Sequence, residues 1–352
     1  MRKKKSWALV FATGLLLSAM LLAGCGGDKK ELYIYNWTEY MPQSVYDEFE
    51  EETGIHVVES TFSSNEEMLA KLKAGGVDQY DLIVASNYVI KAMEDGDMIQ
   101  KIDKDKITNI DNISPSVLGM DYDPDNEYSI PYQATMTVLA VNQEKMKELG
   151  VTITSLNDLL NPALKNNLVV VDDSRELAGI ALKATGEDDN TTDQTTIEGC
   201  LDWLLQLKDN IKAYDSDSPK TLLATNEVAA GLVYNIDAGQ AIKQNDQITV
   251  VYTSEPCELS IDNFVISSQA KNKEYAEEFI NFVHRPEVYK EILDEFPGVC
   301  LNDAAKELMD SSYLDNPGSN VDTSELERAH LIEDVGDAAA YYDDVFTKMK
   351  TD

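Results

Sequence analysis

Histidine and cysteine are scarce in this chain, with three and four among 352 residues. No two cysteines form a C-x-x-C pair, which excludes zinc-knuckle and thioredoxin-type motifs. His56, His284 and His330 are far apart in sequence, so structural or surface roles suit them better than a metal site, and no metal is expected. A G-x-S-x-G elbow, a G-x-x-x-x-G-K-[ST] phosphate loop and an H-E-x-x-H pair are all missing, and no cofactor is expected. Glycine (18) and proline (10) are too few for a low-complexity chain, and no stretch rich in them marks a linker. Positive charge is also short, with 29 basic against 64 acidic residues and a net charge of −35. Nucleic-acid backbones and anionic membrane surfaces would repel such a body, so neither is an expected partner for it.

Apolar residues are ample at 43%, enough for a real core and against disorder. At about 150 residues per domain, the length implies roughly two domains. Residues 1–24 have the plan of an export signal. Arg2, Lys3, Lys4 and Lys5 precede an apolar run from Trp7 to Leu22 that is short for a spanning helix. The run ends in Leu22-Ala23-Gly24-Cys25, which resembles the lipobox of bacterial lipoproteins. That resemblance implies cleavage before Cys25 and a diacylglycerol on its thiol, with residues 25–30 as a tether. The mature chain would then be four charges more negative than the full sequence, held at the extracytoplasmic face of the bacterial membrane through its lipid alone. Of the remaining Cys200, Cys257 and Cys300, two could pair in an oxidising compartment.

Along the chain, Leu32–Tyr35, Ile55–Ser60 and Tyr80–Ala85 read as strands, separated by helical patterns at Pro42–Thr53 and Asn65–Ala74. This βαβαβ opening implies a parallel sheet covered by helices. Asp103–Asn126 is polar and irregular. Asp121, Asp123 and Asp125 fail as a calcium loop because Asn126 and Tyr132 stand where glycine and a bidentate glutamate are needed. Further strands are expected at Val138–Asn142, Leu168–Val171, Ala229–Tyr234, Ile248–Tyr252 and Asn263–Ser267. Helices are expected at Ser174–Ala184, Thr195–Leu207, Asn272–His284 and Val335–Lys350, with His330 in another. Tyr341-Tyr342, adjacent on a helix, should face half to the core and half to the surface.

Tyr35-Asn36-Trp37-Thr38-Glu39-Tyr40 resembles the first strand and ligand loop of the spermidine/putrescine-binding proteins, the extracytoplasmic receptors of polyamine ABC importers. The likeness continues through Glu51–Ile55, Ser64–Met68, Tyr80–Val84, Met98–Asp103, Tyr128–Tyr132 and Asp172–Glu176, in the same order. It implies an α/β fold of type II periplasmic-binding-protein character. Two lobes of mixed sheet flanked by helices, residues 31–136 with 263–310 and residues 137–262 with 311–352, would be joined by hinge crossovers. It also implies a monomer that delivers its ligand to a membrane permease without enzymatic activity. The implied ligand residues are Trp37, Thr38, Glu39, Tyr40, Ser86 and Tyr88 from one lobe. Asp173, Glu176, Tyr234, Asp237 and Asp262 complete them.

The chemistry agrees. A polyamine is an apolar chain with ammonium ends, which need carboxylates when buried, while its methylenes need ring walls. Three positions depart from the resemblance: Ser260 and Gly298 stand where aromatics are expected, and Ile332 where glutamine is. Asp237, three residues after Tyr234, resembles putrescine-preferring members. Cys257 and Cys300 lie near the altered positions, and a disulfide between them is expected. The rival readings are a receptor for another organic cation or small amine and, more distantly, a thiol enzyme using Cys257 or Cys300 with Glu258 as base.

Overall fold

The fold is that of a computed structural model describing residues 30–351; the expected export signal, Cys25 and the expected tether up to Lys29 lie outside them. Eleven strands occur in the order β1 (Glu31–Trp37), β2 (His56–Phe62), β3 (Leu82–Ser86), β4 (Ile99–Gln100), β5 (Ser129–Asn142), β6 (Leu168–Val170), β7 (Ile211–Tyr214), β8 (Ala230–Tyr234), β9 (Ile248–Val251), β10 (Glu258–Ser267) and β11 (His330–Leu331). They form one hydrogen-bonded mixed sheet in the order β2-β1-β3-β10-β5-β8-β6-β7, with β4 and β11 on β10 and β9 on β5.

The parallel opening forms as the alternation implied: β1 pairs in parallel with both β2 and β3. The intervening helix Gln43–Thr53 starts after Pro42, whose fixed φ and missing N–H suit a helix entry, and ends on Gly54 at φ 70°. Helix Asn65–Lys71 is capped by Ser64 and widens into a π turn at Leu72–Gly76. On one face of this first lobe, Leu32, Ile34 and Phe264 pack against Phe49 and Phe279 of flanking helices. Ile83 and Ala85 face Met68 and Met93 on the other. The second lobe repeats the scheme. Helices Ser174–Thr185, Leu201–Lys208 and Ala339–Thr351 cover one face, and Pro219–Ala224 and Asn235–Gln244 the other.

β5 and β10 belong to both lobes. β10 pairs antiparallel with β3 at Asp262–Ile266, and β5 pairs with β8 at Thr137–Val141. Both strands are longer than expected, because they are buried almost throughout and so lack the polar alternation that marks a strand. Their mutual register slips between Asp262 and Asn263, where Pro131 lies opposite. Proline cannot donate to a ladder and is tolerated at such a bulge.

Two other expectations change. The helix at Thr195–Leu207 is two, Gln194–Gly199 and Leu201–Lys208, with Gly199 a weak helix former at the break. His330 lies in β11 beside Glu258 of β10, not in a helix. Tyr342 is buried and Tyr341 half-buried, as adjacent helical positions require. The acidic loop holds no calcium geometry. Instead, buried Asp123 accepts hydrogen bonds from the N–H groups of Glu127 (3.0 Å), Tyr128 (2.9 Å) and Ser129 (2.8 Å), and from the Ser129 hydroxyl (2.8 Å). These bonds lock the entry to β5. Asp123→Ala should therefore cost about 3 kcal/mol in chemical denaturation, since buried donors lose a charged acceptor. A loss under about 0.5 kcal/mol would show that water replaces the carboxylate.

Candidate functional site

Where the lobes meet, a cavity with about 670 Å³ of empty space, its mouth included, opens over the middle of the sheet. Every expected ligand residue lines it. From the first lobe, β1 ends at Trp37, whose ring packs 4.6 Å from that of Phe62. The turn that follows carries Thr38, Glu39 and Tyr40. Glu39 is held at φ 52°, the left-handed region that costs a non-glycine residue energy and is common at functional turns. The Thr38 hydroxyl donates to the Phe62 carbonyl at 3.3 Å. β3 ends at Ser86, with Tyr88 in the first turn of helix Asn87–Asp95. Asn65 fixes both by donating to the Ser86 hydroxyl at 3.0 Å and the Tyr88 hydroxyl at 2.7 Å.

In the second lobe, Asp173 caps helix Ser174–Thr185 by accepting from the Glu176 N–H at 3.0 Å. That geometry delivers both carboxylates to the cavity at one helix start. The Tyr234 hydroxyl donates to Asp173 at 3.4 Å, and the Thr137 hydroxyl to Glu176 at 2.7 Å. Asp237 occupies the first turn of helix Asn235–Gln244. Asp262 sits at the β10 register slip and accepts from the Tyr40 hydroxyl at 2.5 Å and the Ser86 hydroxyl at 2.6 Å.

Burial dominates the electrostatics. It drives the Asp173 carboxyl well above the usual range, and the nearby Glu66 and Glu176 add to the shift. Burial raises Asp262 to about 6, against the opposing pull of the Ser86 and Tyr40 hydrogen bonds. It raises Asp237 to about 7, against the attraction of Lys220. Among the described residues no ion pair involves Asp173, Glu176 or Asp262. The cavity thus presents Asp173 and Asp262, whose ionisation burial disfavours, beside the rings of Trp37, Tyr40, Tyr88 and Tyr234.

Some functional residues were not legible in the sequence. Lys220 lines the cavity, hydrogen-bonds Glu39 and stands 3.7 Å from Asp237. A lysine in the first turn of a helix, against the positive end of the dipole, was the available signal. Asn65 lay inside a block that resembled the family but was not picked out.

The altered wall is also explained. The Ser260 hydroxyl lies 2.9 Å from that of Thr135, and both line the cavity. At Gly298 a Cβ would meet Gln133 Cδ at 2.4 Å, so Gln133 fills that space. Ile332 is buried outside the cavity lining, its carbonyl accepting from Asn87 at 2.7 Å. The expected disulfide is not formed: Cys257 and Cys300 are free thiols. Cys257 packs on the second-lobe core, while Cys300 packs on the first-lobe core and donates to the Asn302 carbonyl at 3.2 Å. Among the described residues no group of His, Cys, Asp and Glu side chains is placed to hold a metal ion, and no helix is long and apolar enough to cross a membrane.

A family model for bacterial extracellular solute-binding proteins matches residues 44–315. The chain belongs to this family. It is 38% identical over 346 residues to the spermidine/putrescine-binding periplasmic protein of Salmonella typhimurium, covering 98% of this chain and 99% of that one. Among solved structures, the spermidine/putrescine transporter substrate-binding protein PotD of Streptococcus pneumoniae, in complex with calcium and HEPES, superposes with a TM-score of 0.75. It shares 32% identity, over 91% of this chain and 98% of that one. The TpPotD lipoprotein of Treponema pallidum gives a TM-score of 0.80 at 29% identity, over 91% and 99%. The two-lobed α/β fold expected from the sequence is therefore the fold of these relatives.

The raised Asp262 carboxyl makes stability depend on pH. Unfolded, it ionises near pH 4; folded, near 6, so in between the folded state keeps a proton that the unfolded state has lost. Raising the pH through this window destabilises the cation-free protein, and the loss is complete above it. Asp262→Asn cannot ionise, so its stability relative to the natural protein should rise by about 2–3 kcal/mol from about pH 4 to about pH 7. Denaturant titrations at both ends of the range measure this. A pH-independent difference would mean that the carboxyl titrates normally.

Proposed function

We propose that this protein is the substrate-binding lipoprotein of an ABC importer that captures a linear polyamine, putrescine or spermidine, between its lobes and hands it to a permease. The observation that carries the reading is the set of buried carboxylates, Asp173, Glu176 and Asp262, with hydroxyl partners and no ion pair. A ligand ammonium supplies the missing charge, and the surrounding rings take its methylenes with cation–π contacts of roughly 0.5–2 kcal/mol each. Ligand contacts from both lobes favour hinge closure, with β5 and β10 as the crossovers between residues 31–136 with 263–310 and residues 137–262 with 311–352.

Anchoring through Cys25 at the extracytoplasmic face is supported by the Leu22-Ala23-Gly24-Cys25 sequence, and the strong negative charge keeps the monomeric body off an anionic membrane. The proposed role involves no covalent step. A thiol enzyme is disfavoured because burial pushes the Cys257 and Cys300 thiols up to about 11, opposite to activation. Glu258, the candidate base, faces Lys183 at 3.6 Å instead.

Titration calorimetry of the lipid-free mature protein against putrescine, spermidine, spermine and choline tests the reading. Asp173→Asn keeps the helix cap, since asparagine caps as well as aspartate, and removes only the charge. With Glu176→Gln, it should weaken binding of the preferred linear amine by about tenfold to a hundredfold. Unchanged affinity in both variants would remove these carboxylates from the site.

A further inference from the structure

One cation already lies in the acidic cavity. Lys220 sits in the first turn of helix Pro219–Ala224 in the second lobe, and its side chain is only 14% exposed. Its ammonium hydrogen-bonds Glu39, which the first lobe presents from a left-handed turn, and stands 3.7 Å from Asp237 of its own lobe. Three residues earlier, Asp217 accepts a hydrogen bond from the Ser63 hydroxyl of the first lobe at 2.7 Å. The segment from Asp217 to Lys220 therefore crosses the gap between lobes at two points. Asp173, Glu176 and Asp262 are different, because hydroxyl groups bond them and no ammonium does.

We propose that Lys220 is a specificity-determining residue: its ammonium holds the Glu39–Asp237 end of the cavity in place of a ligand ammonium, so the site selects a diamine over a longer triamine. The proposal rests on the polyamine reading above and adds to it a protein-borne competitor for one ligand subsite. A diamine satisfies the Asp173, Glu176 and Asp262 end and leaves the lysine bridge intact. A triamine long enough to reach Glu39 must either place its last ammonium beside a like charge or expel Lys220. Expulsion breaks the bridge between lobes and leaves the lysine to find other partners.

Lys220→Met keeps most of the stem and removes the charge; Lys220→Gln removes it with a polar end. Calorimetry of the natural protein and both variants, with putrescine and spermidine, reads the ratio of the two affinities, and circular dichroism melts check folding. The spermidine-to-putrescine affinity ratio should rise about tenfold or more in both variants, the effect of one like-charge contact removed. Spermidine binding by the variants alone, with the natural protein silent, would support the proposal equally. An unchanged or lowered ratio, with both amines bound, would overturn the role of Lys220 and leave the polyamine reading standing. Absence of binding in all three proteins would overturn both.

Discussion

Carboxylates taken out of water without a cation set the terms for this molecule. An ionised carboxylate in a low-dielectric site must be paired or must take up a proton, because desolvation penalises only the charged form. Asp262 stands at the place in β10 where the two lobes share strands, and it is bonded only by the hydroxyls of Tyr40 and Ser86. Asp173 and Glu176 arrive together because one caps the helix that the other begins. Each lobe meanwhile completes its own core, with aromatic packing around Phe279 in the first and a mainly aliphatic cluster that includes Trp203 in the second. The apolar surface that drives folding is thus used up within the lobes. What remains at their junction is a set of buried carboxylates beside aromatic rings, and in the proposed complex an ammonium supplies the charge partner that the cation-free protein lacks.

The wall around that charge determines how much of recognition is electrostatic. Trp37, Tyr40, Tyr88 and Tyr234 supply rings, but Ser260 and Thr135 place two small hydroxyls on the opposite side. Gln133 fills the space in front of Gly298. Fewer rings line the cavity than the sequence resemblance implied, so in the proposed complex the placement of carboxylates carries a larger share of selectivity than stacking does. Asn65 matters in this setting because it orients Ser86 and Tyr88 together, tying an acid-bonding hydroxyl to a ring.

Much of this was legible before any coordinates. The opening strands fell where their short runs of β-branched and aromatic residues, separated by helical patterns, put them. Trp37, Ser86, Asp173 and Tyr234 were expected at one site by resemblance to the family, and all four line the cavity. β5 and β10 read as short from the sequence because strands buried on both faces carry no period. The cysteine pairing failed for a different reason. Cys257 and Cys300 are near altered wall positions in sequence, yet their side chains pack on opposite lobes. Lys220 escaped notice because its partners lie 181 and 17 positions away along the chain, and a lysine in the first turn of a helix is a weak local signal.

That lysine changes how closure should be understood. A ligand can shift a two-state equilibrium only by its differential affinity for the two states. Here part of the contact between lobes, through Lys220 with Glu39 and Ser63 with Asp217, is made by the protein itself. Those bonds stabilise approach of the lobes at the mouth, while deeper in burial opposes ionisation of Asp173 and Asp262, with neighbouring carboxylates adding to the cost at Asp173. A cation at the deep end removes the opposing term without having to supply the mouth contact. The ligand's task is therefore reduced to neutralising one cluster, and a ligand that also competes for the mouth gives back part of what it gains.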